Sequence, residues 1–378
     1  MAAGETVLVV ANEIAKPLYV ELYRAVLRAN AHVISDYRPD DDAEYNLARA
    51  FFELADEAQL DFFPARYRRG LIDEIDHMVA VIADADLHSL EGIPPKKIMR
   101  RSAAMKPWMD WRTAKENVGD FTWTLGLYGT PAMAGEAGMT EEEYWQQIIY
   151  ACFLDEGDPI ARWRGVHEQI SDYKQRLDAL AIDRLHIQGE DVDLQITLGE
   201  QRQWIGGSGR NIPSFEIFTS PDWRGTDGWI SFNQPLYRYG TMVTGVRLEF
   251  RDGRVVDASA EQGEDVIKEM IATENADRVG EFSLTDRRFS RITRFMAETL
   301  YDENVGGPYG NTHIALGNAY HDCYAGDPAQ LTEAEWERLG FNNSSVHTDI
   351  VSTTDRTVTA TLRDGTKAVI YEGGQFTL

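Results

Sequence analysis

The chain has 378 residues, 43% of them hydrophobic, which is enough for a substantial buried core and, by length, for two domains. It carries 62 acidic against 37 basic residues, and the resulting net charge of −25 argues against nucleic acid and anionic membranes as partners. Only eight of the basic residues are lysines, a composition that suits either solubility alone or a high-salt cytoplasm, where screening blunts self-repulsion.

The N-terminal MAAGETVLVVANEI has an apolar run with no basic segment before it, so it reads as a first β-strand (5–12) rather than a signal peptide. Helical spacing from Pro17 to Arg28, a second strand over 31–38, a long amphipathic stretch from Ala43 to Leu60 and a β-rich run over 77–86 come next. This strand–helix rhythm predicts a mainly parallel α/β sheet. Pro94 and Pro95 break the chain ahead of a Trp-rich helical segment from Arg101 to Val118. Thr140 with Glu143 forms a capping box that opens another helix, and the pattern from Glu168 to Leu185 is helical again.

Beyond residue 186 the texture changes. VDLQITL (192–198), EIFTSP (216–221), GWISFNQP (228–235) and the stretch 241–260 are short strand-like runs separated by turn residues, with a hairpin signal in the RDG of 251–253. The C-terminal TVTATLRDGTKAVIYEGGQF repeats that device. The expected architecture is therefore an N-terminal α/β domain, 1–185, and a C-terminal α+β domain, 186–378, with mostly antiparallel strands. Gly206, Gly207 and Gly209 lack the flanking strand and helix of a phosphate loop and read as a turn. No G-x-G-x-x-G follows the first strand, which leaves a nicotinamide enzyme unsupported. No stretch is long and apolar enough to span a bilayer. Cys152 and Cys323 are isolated from each other, the pattern of free thiols in a reducing compartment, so a cytoplasmic location is expected.

The chemistry-bearing residues gather late. In an extended strand His347 and Asp349 of SSVHTDIV point to one face and offer a nitrogen and a carboxylate to one metal. His313 lies in GNTHIALGNAY; were that stretch helical, Tyr320 would share its face, while the adjacent His321 would point elsewhere. Glu216 in NIPSFEIFTSP and Glu281 in RVGEFSL sit in apolar surroundings, where a charge is costly unless paired or metal-bound. Glu303 lies in YDENVGGPYGN, a loop running towards His313. Judged singly, each carboxylate reads as an ion-pair partner and each histidine as an ordinary core or surface residue.

Taken together and in order, NIPSFEIFTSP, RVGEFSL, YDENVGGPYGNTHIALGNAY and SVHTDIV resemble the thermophilic aminopeptidase T family of dinuclear metallo-aminopeptidases, with TPAMAGEAGMTEEEY (130–144) as a looser match in the N-terminal half. The resemblance implies two divalent ions (zinc, cobalt or manganese), with Glu216, Glu281, Glu303, His313, His347 and Asp349 as ligands. It implies Tyr320 as a site tyrosine. Beside the metals, Glu281 is the candidate for carrying a proton to the leaving amine and Tyr320 for donating to the oxyanion. Further implications are peptide substrates with a free, apolar N-terminal residue such as leucine, and a homodimer. The competing readings are a metal-dependent hydrolase of a different, non-peptide amide and a non-catalytic binding protein.

Overall fold

The strand Thr6–Asn12 is apolar on both faces, and both faces are covered. Val7 and Val9 pack with Val26 and Ala31 beneath the helix Lys16–Arg28. Leu8, pointing the other way, packs with Ile72, Ile75 and Phe121 under the helices Ala65–Glu74 and Lys106–Asn117. A near-continuous run of β-branched residues is what a central parallel strand requires, and each such side chain contributes about 1.5–3 kcal/mol when fully buried. The computed structural model describes residues 1–41, 44–239 and 241–378.

In the described residues Thr6–Asn12 pairs in parallel with His32–Arg38 on one side and His77–Ile82 on the other. Thr122–Leu127 and the two-residue strand Asn211–Ile212 extend this five-stranded sheet, again in parallel. The parallel α/β expectation therefore holds. The expected amphipathic stretch begins at Ala43, which lies outside the described residues. Its described part forms two helices rather than one, Leu47–Leu54 and Glu57–Asp61. Ala55 is extended, and Asp56 opens the second helix with a complete capping box: its carboxylate accepts from the Gln59 amide (2.8 Å), while Gln59 Oε1 accepts from the Asp56 amide (2.9 Å). Thr140 and Glu143 form the capping box expected of them.

The chain falls into two compact units, 1–148 with 209–212, and 149–208 with 213–378. The long helix Pro159–Ala179, which the sequence placed in the first domain, packs within the second unit: Trp163 stacks on Phe215 and Tyr173 on Phe376. It starts where Asp158 caps the Ala161 amide (2.9 Å) and Pro159 takes the first helical position. It ends at Ala179, and Ile182–Gly189 is a strand, so the helical reading to Leu185 is corrected. Ala181, at φ +48°, turns the chain, and the alternating burial of IDRLHIQG is that of a half-buried strand.

The second unit is antiparallel. One sheet has eight strands in the order Arg254–Ser259, Arg247–Arg251, Thr226–Ser231, Val192–Thr197, Ile182–Gly189, Arg356–Leu362, Lys367–Glu372 and Gln375–Phe376. Its hairpin at Arg251–Arg254 has Asp252 and Gly253 both at positive φ (51° and 79°), the two-residue turn that matches strand twist. A second sheet, four strands in the order His347–Ser352, Asn311–Gly317, Val279–Thr285 and Glu216–Thr219, carries the candidate site, and Leu236–Arg238 pairs with Thr241–Val243 in a small two-stranded one. Asn311–Gly317 is thus a strand, and the helical alternative for His313 and Tyr320 falls away. Both cysteines are free and buried. Among the described residues no helix is long and apolar enough to cross a membrane.

Candidate metal centre

Strand register brings the scattered motifs together. Residues directly opposite one another in an antiparallel ladder share a face, as do residues two apart along a strand. Asp349 stands opposite Ala315, and Ala315 opposite Glu281. His313 stands opposite Ser283, and Ser283 opposite Phe218, two residues from Glu216. His347 lies two residues from Asp349. Glu216, Glu281, His313, His347 and Asp349 therefore all project from one face of the four-stranded sheet, with every strand contributing at least one of them.

Their functional atoms converge. His313 Nε2 lies 3.3 Å from Glu216 Oε2, 3.3 Å from Glu281 Oε1 and 3.9 Å from Asp349 Oδ1. His347 Nε2 lies 3.6 Å from Glu281 Oε2 and 3.5 Å from Asp349 Oδ1. Two groups of potential ligand atoms result, each spanning no more than 4.8 Å: Glu216, Glu281 and His313, and Glu281, His347 and Asp349. Glu281 belongs to both, one oxygen turned to each histidine. Ser283 Oγ donates to Glu216 Oε2 (3.1 Å), and the His347 Nδ1–H donates to the Asn318 carbonyl (2.9 Å), which turns Nε2 towards the carboxylates.

Two glycines let the strands come this close. Gly280 sits at a bulge beside Glu281, and a Cβ there would stand 2.2 Å from the Asn318 carbonyl oxygen. Gly317 has φ +103°, and its Cβ would stand 2.0 Å from the Val346 carbonyl oxygen, one residue from His347.

The remaining expected residues stand around this core. Glu303 caps the short helix Thr299–Asp302 and is buried, outside the two ligand groups but close enough for its charge to interact with Glu216, Asp349 and Glu281. The Tyr320 ring meets the His347 ring edge-on at 4.8 Å and leans on Phe218 at 5.6 Å, its amide donating to Ser220 Oγ (2.8 Å). Although 37% of the residue is exposed, burial of its hydroxyl end, reinforced by Glu281, Asp349, Glu303 and Glu216, raises its pKa well above the ordinary tyrosine value, so the hydroxyl remains a donor. His321 turns away and stacks flat on Trp336 at 3.9 Å.

Electrostatics show what the arrangement calls for. Burial, with Glu216 and Asp349 nearby, pushes the Glu281 carboxyl up to about 7, and burial raises Glu303 well above the ordinary glutamate value. Burial opposes charge on His313, yet hydrogen bonds to Glu216 and Glu281 outweigh it and hold the imidazole at about 10. In the same way the Asp349 carboxylate overcomes burial and raises His347 to about 9, while His347 keeps Asp349 down at about 2. Carboxylates crowded in this way draw positive charge to themselves, as protons or as cations. Divalent ions fit this place: the donors are carboxylate oxygen and imidazole nitrogen with no thiolate, a set that suits zinc, cobalt or manganese.

Sequence reading missed the supporting residues. Ser283 was visible only as the period-two neighbour of Glu281. The buried Asn304 and Asn311 carry no charge that would have singled them out.

Residues 1–376 match the Peptidase M29 family, described as thermophilic metalloprotease. Aminopeptidase T of Thermus aquaticus is 31% identical, over 88% of this chain and 85% of its own length. Aminopeptidase 2 of Geobacillus stearothermophilus is 28% identical, over 99% of this chain and 93% of its own. A solved structure, wild-type AmpT from Thermus thermophilus, has a TM-score of 0.81 at 28% identity and covers 100% of this chain and 95% of that one. With the match running the length of both units, the chain belongs to the M29 family of thermophilic metalloproteases.

Proposed function

We propose that this metalloprotease is an aminopeptidase that removes apolar, leucine-like residues from peptide N-termini with two divalent ions held by Glu216, Glu281, Glu303, His313, His347 and Asp349. The observation that carries it is the pair of ligand groups hinged on Glu281, on one sheet face. Aminopeptidase is also the activity named for the relatives that align over most of the chain. Ions bound there would supply Lewis acidity and a lowered water pKa.

The chain's own residues complete the chemistry. Tyr320, protonated at neutral pH and beside His347, donates a hydrogen bond to the oxygen on which negative charge develops. Glu281 holds its place between the two groups, one oxygen turned to each histidine, and is the proposed carrier of a proton to the leaving amine. Phe218, on the site face against Tyr320, offers an apolar wall for the first side chain of the substrate. A homodimer is the proposed assembly, supported by the family resemblance and tested by sedimentation equilibrium.

The experiment is release of leucine from a leucyl chromogenic amide, with metal analysis, after chelation and after adding back cobalt, zinc or manganese. Metal-dependent release with two ions per chain is expected. No release from folded, metal-loaded protein would overturn the peptide reading, and a single ion per chain would overturn the two-ion reading.

A further inference from the structure

YDENVGGPYGNTH contains two asparagines, Asn304 and Asn311, and the side chains of both are completely buried. A buried amide is costly unless its donors and acceptor are satisfied, so the partners of each define its purpose. Asn311 Nδ2 donates to the backbone carbonyls of Glu303 (2.6 Å) and Val305 (2.9 Å). Those bonds fix which end of the amide is which: the oxygen must face the other way, and there it lies 3.3 Å from His313 Nδ1. An amide oxygen only accepts, so Nδ1 must carry the hydrogen and Nε2 is left to face Glu216, Glu281 and Asp349. Asn304 works from the opposite side. Its Oδ1 accepts from the Phe215 amide (2.6 Å), next to Glu216, while its Nδ2 donates to the Leu300 carbonyl (3.1 Å) and to Glu303 Oε1 (3.3 Å).

We propose that Asn311 and Asn304 are positioning residues that clamp the Glu303 turn onto the Glu216–His313 half of the metal centre, Asn311 also setting the His313 tautomer that presents Nε2 to the ion. The inference rests on the two-ion reading of this centre. Glu303 belongs to no strand of the site sheet, so the register that aligns the other ligands does not place it. The two amides do, through its backbone and its carboxylate, and the same two side chains reach His313 and the neighbour of Glu216. The Glu281–His347–Asp349 half has its own orienting contact, the Asn318 carbonyl on His347 Nδ1, and shares neither asparagine. Loss of the clamp should therefore weaken one ion and spare the other.

The test is competition with a chromophoric chelator for zinc on full-length Asn311→Ala and Asn304→Ala proteins, with melting of the chelated forms followed in parallel. Outer-shell partners of metal ligands typically change affinity by about 10- to 100-fold. The expected result is a loss of that size for one of two ions, with the second unchanged within a few-fold. Equal weakening of both ions, or of neither, would overturn the clamp. If wild-type protein binds one ion only, the two-ion reading fails on its own, and the clamp is judged by whether that ion's affinity falls in the variants. If the variants do not fold, the tautomer is read directly on zinc-loaded wild-type protein labelled with 15N-histidine. A protonated Nδ1 on His313 supports the assignment, and a protonated Nε2 overturns it.

Discussion

At the scale of single residues, the proposed ligands and the proposed oxyanion donor make separable predictions, while Glu281 carries two proposed roles. His347 donates through Nδ1 to a carbonyl and turns Nε2 inward, which is the posture of a ligand. His347→Ala is expected to strip an ion and abolish turnover together, a loss larger than the roughly 10- to 100-fold that outer-shell changes cost; metal analysis beside an activity assay checks it, and wild-type turnover would refute the assignment. Among the described residues the Tyr320 hydroxyl has no hydrogen-bond partner, while its ring keeps its contacts with His347 and Phe218 when the oxygen is removed. Tyr320→Phe should therefore retain metal and lower kcat by about 100-fold or more, the usual effect of losing one oxyanion donor. An unchanged kcat would take Tyr320 out of the chemistry. Glu216 and Glu281 drew notice in the sequence because a carboxylate inside an apolar motif is costly without a partner, but singly they read as ion-pair partners, and it was the order of the motifs, through the family resemblance, that implied the full set of proposed ligands. Asn304 and Asn311 drew none, because a neutral amide in a glycine-rich loop reads as turn chemistry until its partners are seen.

At the scale of elements, the centre depends on four strands that approach without side chains in the way. The period-two pattern of His347 and Asp349 was readable from spacing alone, whereas the register joining them to Glu281 and Glu216 was not, since it joins segments far apart in the chain. The helical option for GNTHIALGNAY arose because an apolar run of that length does not declare its period, and Gly317 is the residue that decides the matter. It takes φ +103° at the end of a strand, against the Val346 carbonyl. Gly317→Ala should destabilise the protein by an amount on the order of 1–3 kcal/mol from backbone conformation alone, with further loss from the 2.0 Å overlap. Because the displaced carbonyl precedes His347, metal affinity should fall as well. Thermal melts of chelated and metal-loaded protein separate the two effects, and a variant with unchanged melting and metal content would show that the strand ends tolerate a side chain. The helix that stops short of Ile182 illustrates the opposite limit: Glu168–Leu185 has helical composition, yet the antiparallel partners at 192–197 and 356–362 claim its last residues for a sheet.

At the scale of the whole molecule, charge is the dominant fact. The net charge of −25 includes the crowded carboxylates of the centre, which bound divalent ions would offset. Ion binding to the folded state alone adds stability by mass action, about 2.7 kcal/mol at a hundredfold excess over Kd, so chelation should lower the melting temperature while leaving a cooperative transition. The rest of the acidic excess is spread over the surface, where the ion pairs are mostly exposed and individually worth little, as between Arg24 and Glu21 or Arg69 and Asp73. Unpaired like charges then set the balance, and their repulsion acts over a screening length of about 10 Å at 0.1 M salt and about 3 Å at 1 M. Raising potassium chloride from about 0.1 to about 1 M should therefore raise the melting temperature of the metal-loaded protein and preserve its activity. Sulfate stabilises proteins through exclusion from their surfaces as well as through screening, so chloride at matched ionic strength isolates the charge effect. A melting temperature already maximal at about 0.1 M chloride would mean that the acidic surface serves solubility alone, and a rise continuing to about 1 M would mean that the fold is tuned to concentrated salt.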